Sequence, residues 1–136
     1  MTAELVRLPR PLVNQLLGLA QHAPREEICG LIAGRDGHYL NAYPVSNIAG
    51  DRGHRFEMDP RGQIDALRAM RERDEELMAI YHSHPDAPAL PSLTDIAQHE
   101  YPGLLYLIVS LDTEGVLEMR GFRIRDGAVQ EIGVGI

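Results

Sequence analysis

Between Pro11 and Ala23 the apolar positions Leu12, Val13, Leu16, Leu17, Leu19 and Ala20 recur at three- and four-residue intervals. That period puts one stripe of an α-helix against a core, and a proline near the start costs no intrahelical hydrogen bond. The pattern predicts an amphipathic helix over 11–23. The period then changes: "EEICGLIAG" (26–34) is short and apolar, and the Asp36-Gly37 pair after it is a hairpin signal leading into a second run near 38–46. These two segments predict an antiparallel strand pair. "HRFEMDP" predicts a third short strand near 54–58, closed by Asp59 as a helix N-cap with Pro60 as the first helical residue. The helix that follows runs to about Asp74 and is expected to bury Ile64, Leu67 and Met70.

The run "ELMAIYH" (76–82) is continuously apolar, which suits a strand covered on both faces. A loop stiffened by Pro85, Pro88 and Pro91 follows, and Ser92 opens a short helix to about Glu100. Pro102-Gly103 ends that helix before "LLYLIVSL", the most β-like run in the chain. Two further turns, Asp112 to Gly115 and Asp126-Gly127, make the last third a meander of strands. Helices alternating with strands in this order predict an α/β fold, a mixed sheet with helices against it.

At 136 residues and 15.1 kDa the chain reads as one domain over 1–136. No apolar run approaches the roughly 20 residues of a membrane helix, and the N-terminal stretch has no apolar core with a small-residue cleavage site, so the expectation is a cytoplasmic protein without a membrane partner. A formal charge of −7 argues against nucleic acid, whose affinity for proteins comes from clustered Lys and Arg. The one cysteine, Cys29, can form no internal disulfide.

The densest polar chemistry lies in "YHSHPDAPALPSLTD" (81–95). Residues i and i+2 of a strand share a face, so His82 and His84 can present both rings to one point. Asp95, in the first turn of the next helix, can aim a carboxylate at the same point. Two nitrogens and one oxygen leave a tetrahedral ion one position short, which is how catalytic zinc sites retain a water. A simpler account competes for part of this: Ser92 and Asp95 also make a helix-opening pattern that needs no metal. Capping does not account for the two histidines. Water activated by a metal needs a base, and among the acidic residues Glu27 stands out for opening the apolar strand, though the residues alone prefer it only slightly over Glu26.

The stretch His82-Ser83-His84, seven residues, Ser92, two residues, Asp95 resembles the JAMM motif of the MPN-plus zinc metallopeptidases, and the upstream "EICG" resembles the element that carries their catalytic glutamate. The segments "NAYPVSN", "HRFEMDP" and "LLYLIVSL" stand in the order of that family, so the resemblance covers almost the whole chain. It implies one zinc per chain held by His82, His84 and Asp95, Glu27 rather than Glu26 as general base, and Ser92 as a donor to the oxyanion. It also implies a cytidine-deaminase-like fold, a mixed sheet between helices. Hydrolysis of a peptide or isopeptide bond after the diglycine tail of a ubiquitin-like or sulfur-carrier protein is the implied reaction, in the manner of short stand-alone prokaryotic members such as the CysO-cysteine peptidase type. The stretch after Asp95 is too short for the insertion that chain-specific deubiquitinases use. Tyr43, Phe56 and Met58 fall in segments that in this family can lie beside the substrate tail, although core packing is the simpler reading of Phe56 and Met58.

Other readings are weaker. A catalytically silent MPN-type scaffold is expected to lack a ligand, and none is missing. A DNA-repair-associated family shares an HxHP…PSxxD stretch, but "EICG" and the acidic balance point away from it. Zinc deaminases need a CxxC pair that one cysteine cannot supply. Cys29 reads as a small buried hydrophobe, Gly30 as a site of close packing, and His22, His38, His54 and His99 as surface residues.

Overall fold

The computed structural model describes residues 4–98, 100–112 and 117–136. Among them the chain forms β1 (Leu5–Arg7), α1 (Arg10–His22), β2 (Cys29–Arg35), β3 (His38–Val45), α2 (Pro60–Glu72), β4 (Glu76–His84), α3 (Leu93–Gln98), β5 (Leu105–Ser110), β6 (Glu118–Arg125) and β7 (Ala128–Gly135). The strands make one sheet in the order β1-β7-β6-β5-β4-β2-β3. Only β1/β7 and β4/β5 are parallel, so the sheet is mixed as expected.

The central strands are the continuously apolar ones. Every residue of β5 is buried, and β4 is buried on both faces from Ala79 onward. One face packs Ile32, Tyr81, Leu105 and Leu107 against Leu12 and Leu16 of α1; the other packs Leu31, Ile80, Tyr106 and Ile124 against Ala66 and Met70 of α2. The sheet therefore lies between helices. The hairpins at Asp36-Gly37 and Asp126-Gly127 have both turn residues at positive φ, which a two-residue connection of twisted strands requires. The expected turn at Asp112 to Gly115 falls, beyond Asp112, outside the described residues. No helix among the described residues is long and apolar enough to cross a membrane.

Several expectations are corrected. Residues 54–58 form no strand, and Met58 makes only an isolated bridge to Asn47. Beside the backbone bonds from Ile48 N to Glu57 O and from Asp59 N to Ser46 O, the Asn47 side chain intrudes on the pairing: its Nδ2 donates to Glu27 O and Arg55 O, and its Oδ1 accepts from Ala49 N and Glu57 N. Ile64 is 56% exposed rather than buried. Its neighbour Gln63 takes the inward position, donating to Met58 O and accepting from Tyr101 Oη. Strand β2 begins at Cys29, which leaves Glu27 ahead of it, while β4 continues past 82 through both histidines. Helix α3 is shorter than read. The N-terminal strand β1 was not foreseen; it has three residues and pairs with the last strand of the chain.

Candidate metal centre

Period two along β4 turns His82 and His84 to the face that carries Ile80, the α2 side of the sheet. Strand β2 runs antiparallel beside it with Cys29 opposite His82. Carrying that register two residues further sets Glu27 across from His84, and the segment is pinned there by Ser83, whose Oγ accepts from Ile28 N at 2.8 Å. Asp95 arrives from the other direction. Ser92 caps α3 by accepting from Asp95 N at 3.0 Å, and Asp95 Oδ2 accepts from Ser92 N at 2.9 Å, an aspartate form of the capping box. The helix-opening reading of this pair was correct, and it serves the site as well, because the cap fixes the carboxylate.

Three atoms converge. His82 Nε2 lies 3.1 Å from both His84 Nε2 and Asp95 Oδ2, and His84 Nε2 lies 3.2 Å from Asp95 Oδ2. Glu27 joins them, with one carboxylate oxygen within 4.8 Å of the other three groups' ligand atoms. Glu27, His82 and His84 are at most 4% exposed. Donors about 2.0 Å from a tetrahedral ion stand about 3.3 Å apart, so this triangle has the size of a zinc coordination face. Its chemistry fits too. A single proton bridges two atoms at a time, whereas a cation serves all three, and His84 Nδ1 donates to Pro88 O at 2.8 Å, which directs Nε2 inward.

The electrostatics follow from burial. Desolvation pushes the Glu27 carboxyl up to about 8, with the Asp95 charge adding to the effect against the opposing influence of His84. Burial lowers the His82 pKa. For Asp95 burial acts upward but is outweighed by the charge of His82 and by hydrogen bonds from His82, His84 and Ser92 N, so its carboxyl lies far below the usual range. Burial also opposes protonation of His84, yet the bonds to Asp95 and Pro88 O raise its pKa. Glu27 Oε1 is buried with no hydrogen-bond partner among the described residues. An unpaired buried carboxylate oxygen beside three ligand atoms is placed to receive a proton.

Beside His82 and Asp95 a cavity of ≈ 250 Å³ opens, lined by Phe56, Met58, Tyr101, Ile108 and Ile124 among others. Glu27 borders a separate depression with Asn47 and Arg52. Tyr43 is engaged elsewhere: its hydroxyl donates to Glu75 and accepts from Arg73. Cys29 is buried, and its thiol, pushed up to about 12 by burial and then by Glu27, donates to Val45 O. At Gly30 a Cβ would collide with Tyr43 O and the Tyr81 hydroxyl. His22, His38 and His54 are exposed, and His99 is outside the described residues.

Two residues that support the site were not singled out from the sequence. Ser83 lies between two histidines at the buried end of β4, and a small polar residue buried in a strand is a signal that its hydroxyl has a partner. Asn47, which ties the Glu27 carbonyl to the 49–57 loop, carried no signal beyond its place after a strand.

Residues 9–124 match the profile of a family described as prokaryotic homologs of the JAB domain. The chain is 34% identical to the CysO-cysteine peptidase of Mycobacterium tuberculosis over 92% of its own length and 86% of that protein. It is 34% identical to a probable TtuB-protein conjugate cleaving protease of Thermus thermophilus, covering 93% of this chain and 80% of that one. A desampylase of Haloferax volcanii is 37% identical over 65% of this chain and 66% of its own. Among solved structures, a protein from Desulfitobacterium hafniense superposes with a TM-score of 0.85 at 33% identity, covering 94% of this chain and 90% of that one.

Proposed function

Since the chain belongs to the prokaryotic homologs of the JAB domain, we propose that it is a single-domain cytoplasmic zinc metallopeptidase acting on a ubiquitin-like or sulfur-carrier protein. The bond cut is the peptide or isopeptide bond after the carrier's C-terminal diglycine tail. The support is the naming of three relatives, a CysO-cysteine peptidase, a TtuB-protein conjugate cleaving protease and a desampylase. The observation that carries the chemistry is the convergence of His82 Nε2, His84 Nε2 and Asp95 Oδ2 beside the unpaired Glu27 oxygen.

His82, His84 and Asp95 would hold one zinc ion. When bound, zinc supplies Lewis acidity, which polarises a carbonyl and makes water acidic near neutral pH. Glu27 accepts the proton of the attacking water on Oε1 and returns it to the leaving nitrogen. Its burial makes the proton easy to hold, which suits a group that must carry it between two partners. Ser92 Oγ uses a lone pair to accept from Asp95 N and keeps its O–H to donate to the oxyanion. Burial of Glu27, His82 and His84 lowers the local dielectric and strengthens each interaction.

The test is to incubate the zinc-loaded protein with ubiquitin-like carriers bearing C-terminal extensions and weigh the products. The expected result is a carrier ending in diglycine together with the released adduct. Carriers left intact throughout the panel would overturn the assignment.

A further inference from the structure

The two histidines of the centre are held in different ways. His84 follows the usual pattern for a metal ligand, donating its remote nitrogen to a carbonyl, Pro88 O. His82 does not: its Nδ1 is buried without a hydrogen-bond partner among the described residues. Nothing of that kind fixes its ring rotation. The ring has aromatic neighbours instead: His84 meets it at a tilt, centroids 4.9 Å apart and planes 60° from parallel, and Phe56 lies stacked on it with centroids 4.4 Å apart and planes 27° from parallel. Phe56 sits on the loop that Asn47 anchors, is half-buried against the α2-side core, and walls the cavity next to the site.

We infer that Phe56 is a positioning residue for the metal ligand His82, its ring replacing the missing outer hydrogen bond as the element that fixes the imidazole plane. An imidazole free to rotate about its Cβ–Cγ bond carries Nε2 away from the triangle, and a flat aromatic face against it removes that freedom. The ring is well suited to this task because Nδ1 has nothing to pair with, so an apolar neighbour leaves it no worse off than it is. The local backbone makes the contact specific. Residues 54–58 are not committed to a sheet, and the four hydrogen bonds of Asn47 set the loop so that Phe56 reaches across to β4.

This rests on the proposal that His82, His84 and Asp95 hold zinc, and the measurement separates the two. Zinc affinity is read by competition with a chromophoric chelator at fixed pH for the wild type, Phe56→Leu, Phe56→Tyr and Leu67→Ala, with the melting midpoint of each metal-free protein recorded alongside. Leu67 packs against the same core cluster, so its truncation loosens that core without removing an aromatic ring from His82. Phe56→Leu is expected to weaken zinc binding by about tenfold, the lower end of what outer-shell partners contribute. Phe56→Tyr, which keeps the ring, retains the affinity, and Leu67→Ala lowers the midpoint while leaving affinity intact. Wild-type affinity in Phe56→Leu, or an equal loss in Leu67→Ala, would overturn the role of Phe56 while leaving the metal site standing. A wild type that binds no zinc would overturn both.

Discussion

Glu27 is a carboxyl group 4% exposed whose Oε1 has no partner among the described residues, and a fold tolerates that only where the group has work to do. Glu27→Gln keeps the shape and removes the proposed proton acceptor, so zinc content is expected to stay at the wild-type level while turnover falls by roughly 10² or more. Undiminished turnover in that variant would remove Glu27 from the chemistry. Its titration gives a second check. In the metal-free protein the folded carboxyl titrates at about 8 and the unfolded one near 4.5, so between those values the folded state holds a proton the unfolded chain has lost. Stability contributed by this group is therefore full below the lower value and declines as pH rises to the upper one. Melting of the metal-free wild type against Glu27→Gln should show the wild type losing ground steadily from pH 4.5 to 8, and parallel curves would contradict it. The convergence of His82, His84 and Asp95 was legible because its signals are local: a two-residue period puts His82 and His84 together, and a four-residue cap holds Asp95. Ser83 acts on Ile28 across 55 positions, and Asn47 reaches back 20 positions to the Glu27 carbonyl. No spacing rule reports such pairings.

At the level of elements, α3 shows one hydroxyl with two duties. Ser92→Ala removes an N-cap, worth about 1 kcal/mol, and also the donor proposed for the oxyanion, whose loss costs about 10²–10³ in rate at comparable sites. A small drop in melting midpoint with a large drop in turnover is expected; a rate loss no greater than that of another destabilised variant would argue for capping alone. Strand β2 depends on Gly30, where any Cβ meets Tyr43 O and the Tyr81 hydroxyl. Gly30→Ala is expected to destabilise the fold by about 1–3 kcal/mol, read by chemical denaturation, and a neutral result would show that β3 and β4 yield more than their packing implies. The helices, hairpins and buried strands could be read because propensity, capping and turn chemistry all operate within a few residues. In the segment 54–58 the apolar Phe56 and Met58 alternate as a strand would, while the Arg55 carbonyl and the Glu57 N–H are taken by the Asn47 side chain. Ile64 and Gln63 exchanged places for a similar reason: an amide with two partners, Met58 O and Tyr101 Oη, outcompetes an isoleucine for the inward slot.

For the whole molecule, the sheet brings residues 27 and 82–84 to one end of its central strands, where α3 adds Asp95, and the two parallel pairings play different parts. The β4/β5 pair buries the strand that carries the histidines. The β1/β7 pair joins the two ends of the chain, with Leu8 N donating to Gly135 O and Arg123 bridging to Glu4. The layered α/β class was readable from element order, whereas β1 was not, since a three-residue strand has no period of its own and its partner lies at the far end of the sequence. Removing residues up to Arg7 uncovers β7 and takes away Val6, so the melting midpoint is expected to fall while zinc content is retained; loss of the metal with it would mean that the site depends on this edge. The proposed occupant of this end of the sheet is one zinc ion. Metal analysis of the purified protein and of the His82→Ala/His84→Ala double variant is the most direct examination: one zinc per chain in the former and essentially none in the latter is the predicted result, and equimolar zinc surviving in the double variant would contradict the account at its centre.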